Sequence, residues 1–335
     1  MKLLKFVTFA AGLGLLALVV WNVDLTDVWA HAMRLGAFGA AVVLALYAAA
    51  FSLDTLAWQL ALVEAPLDLR WWYRIWKIRL VGELLNGLIP AGGVGGEPVK
   101  AVMLKRYYGF GYREGAASLI LGKTTDMISL VLFVAFAFVL VLLSEALPGV
   151  SIAVVGTGLG IFGLAIALFY LVQRHRLSSR IGAWCNGAQS RRWLRLDALL
   201  HQVRDVDDRL FHFYTRRRRR FLACLALGLL NWSLGALEVY VVLAFLGRPV
   251  SLAEAWIIEG VTQLVRNATF FIPGRIGSQE GAFLLLVGAV TGSAELGLAV
   301  ALVRRARELV WFALGALVGW RYAGAPAHGG DPGAA

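Results

Sequence analysis

The sequence predicts an all-α polytopic membrane protein: about six transmembrane helices plus two re-entrant broken hairpins, arranged as an inverted repeat. Three observations lead there. Apolar residues fill 59% of the 335 positions and charged residues 16%, against about a quarter charged in a typical soluble domain. Apolar runs long enough to cross a bilayer recur along the whole length. Two stretches rich in glycine and proline, Asn86–Lys100 and Ile272–Glu280, interrupt those runs. Broken backbone is tolerated at membrane depth only where protein or a water-filled cavity surrounds it.

The elements follow in order. Residues Phe6 to Trp21, after Lys2 and Lys5, read as a first, slightly short span; a cleaved signal peptide looks similar, with a weak cleavage site at Ala30-His31-Ala32. The second span, 37–63, carries Asp54, which belongs on the bundle-facing side or at a helix end near the interface. Arg70, Arg74 and Lys77 fall at helical spacing among Trp and Tyr, predicting a helix at headgroup level that then dips through Leu80–Leu88 into the first broken stretch. From Pro98 the chain returns through Lys100, Lys105 and Arg106 to the interface. Spans at 116–143 and 150–172 follow, the latter with glycines suited to close helix packing.

Residues 174–220 are polar, but Leu196, Leu199, Val203, Val206, Leu210 and Phe213 step by three and four. They read as a cytoplasmic amphipathic connector resting on membrane or bundle, or as a docking helix for a partner. The run Arg216–Arg220 closes it against anionic lipid. A fifth span, 221–246, contains Glu238. Residues 252–272 enter the second broken stretch and 282–290 leave it. After a turn at 291–293, a helix rich in Leu and Ala runs past Arg304, Arg305, Arg307 and Glu308 to Trp320. Residues 324–335 read as a disordered tail, so 1–323 form a single integral membrane domain.

The net charge of +11 suits nucleic acid in a soluble protein. Here the bases flank apolar runs, as positive-inside topology requires, and no nucleic-acid partner is expected. Cys185 and Cys224 stand far apart, and the five histidines are scattered. With no metal-ligand spacing, nucleotide loop or nucleophile elbow, neither a metal, a cofactor nor enzymatic activity is expected.

The halves of the chain repeat. Seven residues separate Pro90 from Glu97 and also Pro273 from Glu280. From Glu97 to Lys123 is 26 residues, and from Glu280 to Arg305 is 25. Lys123 and Asp126 are three apart, as are Arg305 and Glu308. Asp54 precedes Pro90 by 36 and Glu238 precedes Pro273 by 35; Gly115 and Gly297 each stand eight before the base. The match is imperfect: Glu83 corresponds to Arg266, and Asn86 and Asn267 are out of register. Repeat 1 covers about 37–143 and repeat 2 about 221–322. Three spans lie between the broken stretches, and an odd number inverts the second repeat, a plan found in many transporters.

Half-helix ends in a broken hairpin aim unpaired N–H groups inward, where they favour anions such as phosphate. The candidate binding residues are Asn86, Pro90, Gly95, Gly96, Glu97, Lys123, Asp126, Arg266, Asn267, Pro273, Arg275, Glu280, Arg305 and Glu308. Arginine suits bidentate phosphate contact. Asp54 and Glu238 are proton or charge candidates. The plainer reading of Lys123–Asp126 and Arg305–Glu308 is that they are structural i,i+3 pairs.

The motif Asn86…Pro90…Gly95-Gly96-Glu97, with Lys123-x-x-Asp126 and Pro273-Gly-x-x-Gly277-x-x-Glu280, resembles the lysylphosphatidylglycerol synthase transmembrane-region family, the flippase-like membrane domain. The stretches Ile272–Gly281 and Val303–Leu309 most resemble its hopanoid-biosynthesis-associated branch. The resemblance covers roughly residues 5–322. It implies a bacterial inner-membrane protein related to domains that flip aminoacylated phospholipids; the basic loops under six spans put both termini of this multi-pass chain in the cytoplasm. The chain ends after the membrane part, so lysyl-lipid synthesis is expected to be absent. Lys123 stands where the family more often has arginine. Three functions compete. The first is a lipid translocase for an anionic phospholipid or hopanoid-type lipid. The second is a non-catalytic accessory subunit that partners lipid-biosynthesis proteins. The third and weakest is a membrane-embedded transferase. Paired broken hairpins favour the first, because scaffolding does not need them.

Overall fold

The computed structural model describes residues 25–89, 95–143, 152–174, 208–270 and 272–323. All regular structure among them is helical: α1 (Leu25–Arg34), α2 (Gly36–Ala61), α3 (Leu69–Leu88), α4 (Glu97–Tyr108), α5 (Tyr112–Leu143), α6 (Ile152–Arg174), α7 (Arg218–Phe245), α8 (Leu252–Ala268), α9 (Ser278–Thr291) and α10 (Ala294–Ala323). A 3-10 turn at Pro273–Arg275 joins α8 to α9, and residues 208–216 are also helical. The predicted first span at 6–21, the tail 324–335 and most of the connector lie outside the described residues. The short helix α1 was not foreseen; it packs against α10.

Local signals explain most boundaries. Asp68 caps α3 by accepting the Trp71 N–H at 2.6 Å, and Ser251 with Glu254 forms a reciprocal capping box at the start of α8. Gly109 and Gly292 close α4 and α9 in the left-handed conformation, which glycine adopts without a Cβ clash. In α3, Arg74 lies over the Trp71 and Tyr108 rings and Lys77 over Tyr73. These cation–π contacts suit a headgroup-level segment.

Where the sequence predicts six full spans, three described helices are both long and uniformly apolar enough to cross: α2, α5 and α7. α10 has the length, but Arg304, Arg305, Arg307 and Glu308 interrupt its apolar run. Its outer face still carries exposed Leu309, Val310, Leu317 and Trp320, while Arg304 and Arg307 are buried. Apolar residues outside and charges inside is the pattern of a helix in lipid.

The order of elements occurs twice. α2, α3, α4 and α5 have 26, 20, 12 and 32 residues; α7, α8, α9 and α10 have 28, 17, 14 and 30. Each quartet is a long helix, a broken pair and a second long helix. α2 packs extensively on α7, and the closing helices are exchanged: α5 lies on α8, and α10 lies on α3. Glycine makes both exchanged contacts close. A Cβ on Gly260 would stand 2.5 Å from the Ala137 Cβ, and one on Gly315 would stand 2.5 Å from the Leu80 carbonyl oxygen. Lipid offers helices little hydrophobic reason to associate, so such backbone proximity carries much of the packing.

In the connector, the described end buries Leu210, Phe213 and Tyr214 in a core with Ile75, Leu104 and Leu121. That part of the amphipathic face rests on the bundle.

Candidate functional site

The two broken hairpins are tied in different ways. In the first, the Asn86 side-chain oxygen accepts the Gly96 N–H at 2.7 Å, linking the end of α3 to the start of α4. Gly96 lies so near α3 that a Cβ would come within 2.1 Å of the Gly82 carbonyl oxygen. Lys100 folds back across Gly82, and its ammonium reaches Glu97 at 2.9 Å and Glu83 at 3.5 Å. Pro90 and the residues up to Val94 lie outside the described residues.

In the second hairpin, three turn positions have positive φ: Gly274 (62°), Arg275 (54°) and Gly277 (82°). Arg275 is the only non-glycine residue so placed among the described residues. Arg305 from α10 holds this turn. Its guanidinium donates to the Gly274 carbonyl at 2.9 Å, the Arg275 carbonyl at 3.2 Å, Glu280 at 2.6 Å and Glu308 at 2.9 Å. Glu280 also accepts the Gly277 N–H at 2.7 Å, so its carboxylate serves as the N-terminal cap of α9.

Between the hairpins lies a polar cavity of about 260 Å³. Asn86, Glu97, Lys123, Asp126, Arg266, Arg275, Arg305 and Glu308 line it, together with Asp54, Arg79, Glu83 and Lys100. A second cavity of about 230 Å³ shares Asp54, Arg79, Glu83, Lys123, Asp126, Arg266, Arg275 and Glu308, and adds Asn267, Glu238, Glu259, Arg304 and Arg307. The structure therefore brings most of the candidate residues to one place. It leaves out four. Glu280 is 4% exposed and lines neither cavity. Gly95 and Gly96 contribute backbone beside the wall without lining it. Pro273 begins the 3-10 turn.

The Lys123 side chain lines both cavities and is 47% exposed, with Asp126 3.5 Å away. Lys100, expected on the chain's return to the interface, is instead buried beside the cavity, and so is Arg79. Their acids explain why. Arg79 bonds Asp54 and lies 3.9 Å from Glu83. Burying a cation is tolerable once a carboxylate is placed to meet it. Glu238, expected as a proton or charge group, bonds Arg307 and stands 3.6 Å from Arg304. Asn267 donates to the Gln263 carbonyl at 2.8 Å, a local tie within α8.

Sequence reasoning passed over Arg79, Glu83, Lys100 and Glu259 as site residues. The signals existed. Arg79 and Glu83 stand four apart on one helix, Glu97 and Lys100 three apart, and Glu259 interrupts the apolar stretch 255–261 four residues before Gln263, which donates to it at 2.7 Å.

Nearest partners can be assigned to nearly every charge: Arg79 with Asp54, Lys100 with Glu97, Lys123 with Asp126, Arg266 with Glu308 (3.8 Å), Arg304 with Glu259 (2.8 Å), Arg305 with Glu280, and Arg307 with Glu238. Arg275 has no ion pair among the described residues, and the Arg266 Nε has no hydrogen-bond partner. These free donors flank one wall. No group of histidines, cysteines or carboxylates suited to a metal occurs among the described residues.

A family model described as the lysylphosphatidylglycerol synthase TM region matches residues 3–316. A UPF0104 membrane protein of Methanothermobacter thermautotrophicus is 23% identical over 267 residues, covering 76% of each chain. A UPF0104 membrane protein of Pyrococcus horikoshii is 21% identical over 301 residues, covering 85% of this chain and 88% of the relative. No solved structure matches.

Proposed function

The chain belongs to the lysylphosphatidylglycerol synthase TM-region family, and from that premise we propose that it is a lipid translocase acting without covalent chemistry. The observation that carries the reading is the polar cavity held between two broken hairpins inside an apolar bundle. A charged headgroup pays a large desolvation penalty in hydrocarbon. A cavity walled by Arg266, Arg275 and the turn backbone supplies substitute hydrogen bonds for a phosphate. Ile89, Phe270 and Phe312 also line it, and exposed Ile89 and Phe270 give an acyl or polycyclic tail an apolar way out to lipid. The proposal places the protein in a bacterial inner membrane with both termini cytoplasmic, and includes phosphate-bearing phospholipids and hopanoid-type lipids as cargo.

The test is movement of labelled lipid between leaflets of vesicles containing the purified protein. Wild type is expected to move lipid, and Arg275→Gln with Arg266→Gln to slow it at least about tenfold, the loss of one or two charge-assisted contacts, with folded yield unchanged. If wild type moves no member of a broad lipid panel, the accessory-subunit reading replaces this one.

A further inference from the structure

The arginine wall alone suggests a purely anionic headgroup. The acid that α3 brings to the same cavity changes that reading. Two cavity charges stand out: Arg275 has no ion pair among the described residues, and Glu83 shares both of its cations with closer acids. The carboxylate of Glu83 has only second places, 3.5 Å from Lys100 and 3.9 Å from Arg79. Lys100 is nearer Glu97, and Arg79 is bonded to Asp54. Both Glu83 and Arg275 line both cavities, one from α3 of the first quartet and the other from the turn of the second. The Arg275 side chain makes no ion pair among the described residues, and Glu83 is the longer of the two carboxylate contacts of Lys100. Arg275 keeps a left-handed backbone, a conformation that costs an arginine about 1–2 kcal/mol, and Arg305 fixes it through the turn carbonyls.

A headgroup with only negative charge would meet Arg275 but leave Glu83 repelling it. A headgroup with only positive charge would do the converse. A group carrying both an anion and a cation satisfies both and leaves the cavity neutral. We propose that this site takes a zwitterionic headgroup, a phosphodiester at Arg275 and Arg266 with an ammonium at Glu83. The inference refines the translocase reading and rests on it for the lipid tail, but its test is binding rather than movement.

Purified full-length protein in a neutral detergent is titrated with short-chain phosphatidylethanolamine, phosphatidylglycerol and phosphatidic acid, and with tail-less glycerophosphoethanolamine, reading the rise in thermal midpoint and the dissociation constant. Phosphatidylethanolamine is expected to bind at least about tenfold tighter than either anionic lipid, the scale of one charge contact. Weaker binding of the tail-less compound identifies a lipid source, and equal binding a soluble zwitterion with the same chemistry. Glu83→Gln is expected to erase the preference by raising phosphatidylglycerol affinity, and Arg275→Gln to weaken all phosphate ligands. The wild-type preference needs no variant, so a Glu83→Gln protein that fails to fold does not spare the proposal. Equal or tighter binding of the anionic lipids overturns it, as does binding of none of the probes. Lipid movement without headgroup preference overturns this inference and leaves the translocase reading standing; preferential binding without movement does the reverse.

Discussion

At the scale of the residue, two charges in one hairpin do different work. Glu280 is buried, caps α9 and bonds Arg305. Removing its charge leaves Arg305 with fewer partners and weakens a charge-assisted cap. Glu280→Gln is expected to cost about 2–3 kcal/mol, read as a lower thermal midpoint in detergent. Arg275 bears no such load. In Arg275→Gly the relief of a positive φ offsets the greater chain entropy of glycine, so stability is expected to stay within about 1 kcal/mol of wild type, while lipid binding falls. A large loss of stability in Arg275→Gly would show that the arginine holds the turn instead of facing a ligand. Spacing alone made Glu97 and Glu280 look equivalent; the acids differ because Glu97 meets a lysine of its own helix and Glu280 meets a turn amide and an arginine of α10.

At the scale of the element, the close contacts are glycine contacts. Gly96 against Gly82, and Gly297 against the Phe283 carbonyl, leave no room for a Cβ: the gaps would be 2.1 and 2.4 Å. Gly96→Ala and Gly297→Ala are each expected to separate the helices of a hairpin from their neighbours and to lower folded yield severalfold by size-exclusion profile, the overpacking cost being about 1–3 kcal/mol. Gly109→Asn is the control, because open space surrounds that position and asparagine tolerates its positive φ. Most elements were legible in the sequence: apolar runs, the broken stretches and the turn at 291–293 fall where the helices begin and end. α1 was not, since ten residues with charges at both ends resemble a loop until α10 covers one face. The depth of Arg79 and Lys100 was also hidden. A base near a span end reads as an interfacial charge, and only the acids brought by neighbouring helices reveal that it points inward.

At the scale of the molecule, the arginines at the start of α7 predict the sidedness. Arg216 and Arg248 are both exposed, one before α7 and the other in the short loop after it. In a background lacking Cys185 and Cys224, an impermeant thiol reagent applied to intact cells is expected to label Arg248→Cys and spare Arg216→Cys. The opposite result would invert the topology and move the connector outside. The twofold order of elements could be anticipated from the recurring Pro-to-Glu and base-to-acid spacings. The exchange of α5 and α10 between quartets could not, because spacing along a chain carries no record of which helices touch.

That exchange makes the chain a pair of halves that complete one another, much as two copies of a single ancestral chain would. Two identical copies, however, would place the same residue at matching positions. Here Glu83 corresponds to Arg266, and Arg275 to Gly92. A symmetric pair would face the cavity with two acids or with two bases, and its pocket would be bound to one sign of charge. In one polypeptide the two halves differ at these positions, so that an acid from α3 of one half and a base from the turn of the other line a single cavity.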